Sequence, residues 1–94
     1  MDKKYERFLR LVEDIINLSV KLVTNRYNLT RCAVSGVCEN KITWDLQDIA
    51  GNSYDYVLNI SNSSPLYDRY LNEYTIQSMA NWVCNDIKNT IKLR

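Results

Sequence analysis

Few side chains in this sequence could carry out chemistry. Cys32, Cys38 and Cys84 are the thiols, Asp45, Asp48 and Asp55 are the carboxylates of a predicted hairpin, and histidine is absent. Without histidine, the commonest general base and the usual activator of a serine or cysteine nucleophile are missing. Three thiols offer at most three soft ligands, and Cys32-x5-Cys38 is wider than the C-x2–4-C spacing of structural zinc sites. Cys84 falls at the edge of an apolar helical face, where a thiol behaves as a small buried hydrophobe. The aspartates would suit a hard cation only if they converged. Strand alternation instead sends Asp45 and Asp55 to solvent and Asp48 the other way. Gly36 and Gly51 are the only glycines, so no phosphate-cradling glycine loop exists. We therefore expect no catalysis, no metal and no cofactor.

What remains is recognition. Seven of the aromatic residues are tyrosines; Tyr67, Tyr70 and Tyr74 cluster, and Trp82 lies off the main apolar stripe of its helix. Tyrosine and tryptophan bring large, rigid, amphipathic contact area at small entropic cost. This set, or the polar hairpin residues Asp45, Gln47 and Asp55, is the expected surface for a protein partner. The competing reading packs the rings at the edges of a core with their polar tips in water. A basic set offers a second surface: Lys3, Arg7, Arg10, Lys21 and Arg26 on the first helix, Arg31, and Lys88, Lys92 and Arg94 near the C-terminus. In a dimer these would meet nucleic acid. Glu6, Glu13 and Asp14 interrupt the set, and i,i+4 pairing of Glu6 with Arg10 and of Arg10 with Asp14 accounts for it without a ligand. The formal net charge is only +1, without a block of like charge, so the footprint of a strong nucleic-acid binder is missing. No short turn joins two helices in the helix-turn-helix manner.

The elements that must position these residues begin with an amphipathic helix from Asp2 to Arg26, with Asp2 as its N-cap. Its apolar rows (Phe8, Leu11, Ile15, Leu18, Leu22 and Tyr5, Leu9, Val12, Ile16, Val23) fill an arc of about 200°, twice what a surface helix needs. Asn28 is placed to close the helix in the left-handed conformation. Residues 29–40 are the least readable: Leu29 to Val34 is compatible with a short strand, and Gly36 with a bend or bulge in it. Ile42, Trp44 and Leu46, then Tyr54, Tyr56, Leu58 and Ile60, alternate with polar positions and predict a β-hairpin. An odd-length loop at Ala50-Gly51-Asn52 puts all of them on one face, opposing Leu46 to Tyr56 and Trp44 to Leu58. Ser64 as N-cap and Pro65 at the first helical position open a short helix to about Leu71. After a break near Asn72-Glu73, Ile76, Met79, Ala80, Val83, Ile87 and Ile91 keep helical spacing.

The order α-β-β-β-α-α implies an α+β two-layer domain over residues 1–94, with helices on one face of a small antiparallel sheet. Ninety-four residues suffice for one modest core. The apolar arc of the first helix exceeds what such a sheet and one further helix cover, which predicts an isologous homodimer. Met1–Lys4 leads into an amphipathic helix rather than an apolar signal core, and no run is long enough to span a bilayer, so a cytoplasmic location is expected. In that compartment the cysteines are free thiols. An Asn-, Ile-, Lys- and Tyr-rich composition in a short chain suits an AT-rich genome such as that of a virus or mobile element. The expected function is a small protein-binding module acting stoichiometrically as an inhibitor, adaptor or regulator. The alternative is a dimeric nucleic-acid-binding protein.

Overall fold

Helical spacing of Phe8, Val12, Ile15, Ser19 and Val23 builds α1 (Lys3–Arg26), and these five residues are its buried face. The computed structural model describes residues 3–73 and 75–92, so Asp2, the expected N-cap, lies outside them. Ser19 is fully buried on this face, and its hydroxyl donates to the Ile15 carbonyl at 2.5 Å, which satisfies the one polar group there. Asn28 does not close the helix in the left-handed conformation, since its φ is negative. Instead Tyr27 N–H donates to Val23 C=O and Leu29 N–H to Tyr27 C=O at 2.8 Å, a tight turn leading straight into the sheet.

The sheet is antiparallel with order β1-β2-β3: β1 (Leu29–Cys38), β2 (Lys41–Asp48) and β3 (Ser53–Asn59). β1 is a full ten-residue strand, longer than its weak pattern suggested. Its register against β2 slips twice, between Leu29 and Arg31 and between Val34 and Gly36. The extra residue at each bulge carries a hydroxyl that repairs the ladder. Thr30 donates to the Gln47 and Asp48 carbonyls and Ser35 to the Thr43 carbonyl, each at 3.2 Å. Gly36 itself pairs with Thr43.

The β2–β3 hairpin has its apolar residues on one face through an odd-length loop, but the register is two residues from that expected. Leu46 opposes Tyr54, Trp44 opposes Tyr56 and Ile42 opposes Leu58. The turn encloses Ile49-Ala50-Gly51, one residue earlier than expected, and is organised by Asp48, whose N–H donates to the Asn52 carbonyl at 3.0 Å. The Asp48 carboxylate accepts from the Asn52 N–H at 2.9 Å, the Asn52 amide at 3.1 Å and the Tyr54 hydroxyl at 3.0 Å. Gly51 supplies the positive φ of 89° that the turn requires. Ile49 is thereby left out of the ladder, 70 % exposed.

Ser64 caps α2 (Pro65–Glu73) by accepting from the Tyr67 N–H at 3.2 Å, while its hydroxyl donates to the Ser61 carbonyl. Thr75 does the same for α3 (Ile76–Lys92), accepting from the Ser78 N–H at 3.0 Å. α1 packs along α3 and over β1, α3 lies over β3, and α2 joins the two longer helices. The result is an α+β domain with all three helices on one sheet face. Its core runs from Phe8, Ile15 and Val23 through Ile42, Trp44, Leu46, Tyr56 and Leu58 to Leu66, Met79, Val83 and Ile87. Trp44 is fully buried, ring to ring with Tyr56 at 5.9 Å, and its indole N–H meets no acceptor among the described residues. Most of the wide α1 arc is covered within the chain: Leu11, Ile16, Val20 and Leu22 are half-buried against the core. Leu9 is left exposed. Among the described residues no helix is long and apolar enough to cross a membrane.

Candidate functional site

Strand alternation in β2 and β3 divides the sheet into two faces with opposite roles. Ile42, Trp44, Leu46, Tyr54, Tyr56 and Leu58 turn to the helices, and Thr43, Asp45, Gln47, Ser53, Asp55 and Val57 turn away. Among the described residues no element covers this second face. At its centre Asp45 and Asp55 are directly opposed across β2 and β3, a repulsive pairing. Arg31 on β1 relieves one of them: its Nε donates to Asp45 Oδ2 at 2.8 Å. Among the described residues no cation pairs with Asp55 in this way. Val57, two residues along on the same face, is half exposed. The predicted hairpin residues Asp45, Gln47 and Asp55 are thus brought together. Arg31, expected only in the basic set, and Val57, in neither set, complete the surface. The pairing of the 29–40 segment decides where Arg31 falls, and Val57 has an apolar side chain at a polar-face position.

The aromatic set is divided differently. Tyr67 and Tyr70 are 5 % and 7 % exposed, and their rings pack on Phe8 at 5.2 and 5.5 Å and on each other at 5.9 Å. Tyr5 joins them edge-on to Tyr67, its hydroxyl donating to the Ile60 carbonyl at 3.0 Å. These rings are core, because α2 lies with its apolar side on the N-terminal half of α1. Trp82 is half-buried against the core and keeps part of its ring accessible. Tyr74 lies outside the described residues.

The basic set does not converge. Lys3, Arg7, Arg10 and Lys21 share one exposed stripe of α1. Neither Glu6–Arg10 nor Arg10–Asp14 closes to ion-pair distance, since exposed side chains gain little from holding such a geometry in water. Arg26 is turned onto α3, donating to Asn81 Oδ1 at 3.3 Å and to Cys84 Sγ at 3.8 Å. Lys88 is half-buried beside Tyr27, Leu29 and Ile91 at a cavity of about 160 Å³, below the roughly 300 Å³ at which ligand pockets begin. Lys92 ends α3, and Arg94 lies outside the described residues.

The thiols are also apart in role. Register puts Cys32 beside Leu46 on the helix side of β1 and Cys38 beside Lys41 on the other side. Burial, with a smaller contribution from nearby Cys84, pushes the Cys32 thiol up to about 11, the opposite of an activated nucleophile. Burial and the contact with Cys84 also raise the Tyr27 phenol. Among the described residues no three His, Cys, Asp or Glu side chains come together as a metal site. The chain matches no protein-family model, no curated protein and no solved structure.

Proposed function

We propose that this chain is a small cytoplasmic protein-binding module, encoded by a virus or mobile element, that acts stoichiometrically as an inhibitor, adaptor or regulator. The observation that carries the reading is the open sheet face, where Val57 sits among Asp55, Thr43 and the Arg31–Asp45 pair. A partner that offers an apolar side chain to Val57 and a cation to Asp55 would relieve the Asp45–Asp55 opposition while burying apolar area. The test is affinity capture from host lysate, with mass spectrometry before and after nuclease, using the wild-type chain and Val57→Lys. A single protein retained in stoichiometric amount after nuclease, and lost with Val57→Lys, is the expected result. Retention indifferent to Val57→Lys overturns this surface.

A second reading, a nucleic-acid-binding protein, is favoured by the exposed stripe of Lys3, Arg7, Arg10 and Lys21, which forms no ion pairs with Glu6 or Asp14. Phosphate-driven binding would weaken log-linearly with salt and disappear with Arg7→Ala plus Arg10→Ala. Binding anchored at Val57 would survive both.

A further inference from the structure

Exposed strand edges invite pairing with another chain, and proteins protect them with short length, charge or proline. β1 is an outer strand of the sheet and has ten residues against seven for β3, the other outer strand. From Cys32 to Cys38 it contains neither a charged residue nor a proline. Register sets Val34 beside Trp44 and Val37 beside Ile42, on the side that the helices cover elsewhere. Yet Val34 is 37 % and Val37 71 % exposed, so the helix layer stops short of this end of β1. The two bulges are stitched inward to β2 by Thr30 and Ser35, which leaves Arg31–Val34 and Gly36–Cys38 in regular ladder.

We propose that this edge is occupied by a second copy of the chain, β1 pairing antiparallel with β1 about a two-fold axis. The two sheets then join into one of six strands, with Val34 and Val37 of both protomers meeting over the junction. Two observations favour this occupant. The only charge on the strand, Arg31, is already neutralised by Asp45 at 2.8 Å, so two such edges meet without like-charge repulsion. The edge is also self-complementary: antiparallel pairing about a two-fold axis sets the exposed Val34 and Val37 of one copy against the same residues of the other, as an isologous contact requires.

Sedimentation equilibrium over a range of concentrations tests this, with circular dichroism to confirm folding. Wild type is expected at twice the 11.1 kDa chain mass. Val34→Lys plus Val37→Lys, at positions already open to solvent, should fold normally and dimerise at least about 100-fold more weakly, since it sets like charges against each other. Hydrogen exchange supplies an independent readout: β1 amides should gain protection as wild-type concentration rises. A wild-type mass of one chain at every concentration overturns the proposal, as does a dimer unaffected by the double lysine variant. Val57→Lys should leave the dimer intact, so failure of partner capture and failure of self-pairing are separately visible.

Discussion

Tyr56 of β3 donates its hydroxyl to Asp86 Oδ2 of α3 at 2.7 Å, the polar bond that fastens the last helix to the sheet across the core. Burial, reinforced by the acceptor Asp86, raises the Tyr56 phenol far above its ordinary value. In the unfolded chain the same phenol ionises near pH 10. Stability is therefore fully present below about pH 10 and falls as pH rises beyond it, because only the unfolded state readily releases the proton. Tyr56→Phe should cost about 1–2 kcal/mol at neutral pH through the lost bond to a carboxylate. It should also flatten the decline in urea-unfolding free energy between about pH 9 and pH 12.

At the other end of the hairpin, Asp48 is the acceptor around which the turn is built. The Asn52 side chain above all, with its backbone N–H and the Tyr54 hydroxyl, holds the Asp48 carboxyl below its usual value, against a smaller opposing effect of burial. A lowered carboxylate stabilises the fold above the unfolded value near pH 4, and that contribution is lost as pH falls below it. Asp48→Ala should lower the melting temperature at pH 6. The difference from wild type should narrow by pH 2.5, followed by circular dichroism.

Ser64 performs two tasks at once, capping α2 and bonding back to Ser61. Ser64→Ala should cost about 1 kcal/mol, a typical price for an N-cap. The measurement is the midpoint of urea unfolding, with the slope unchanged because the surface exposed on unfolding is the same.

Tyr70 and Val57 separate stability from recognition. Tyr70 is buried against Phe8 and Tyr67, so Tyr70→Ala should destabilise by about 3 kcal/mol or more. Such a loss is a large share of the roughly 5–14 kcal/mol expected for a chain of this length. Val57→Lys, on the open face, should leave the melting temperature within a few degrees of wild type and abolish partner capture. Comparing melting and capture for the two variants tells core from contact surface.

The layered plan of this protein is legible in local periodicity. Phe8, Val12, Ile15 and Val23 recur at helical spacing, and Ile42, Trp44 and Leu46 alternate with polar residues. Such periodicities select helix or strand locally, whatever the rest of the chain does. The Ser64-Pro65 start was equally legible, because a cap acts within one turn. What lay beyond reach depended on contacts between distant residues. The length of β1 follows from pairing with β2, and its own residues, open on both faces for much of their length, show little alternation. The hairpin register was set by Asp48 gathering Asn52 and Tyr54, a side-chain arrangement that the apolar pattern, which repeats every two residues, does not distinguish from a shift of two. The tyrosines of α2 suit surface and core alike by type, and Phe8 packed beneath them makes them core, because burial is a property of what packs on a residue and not of its type.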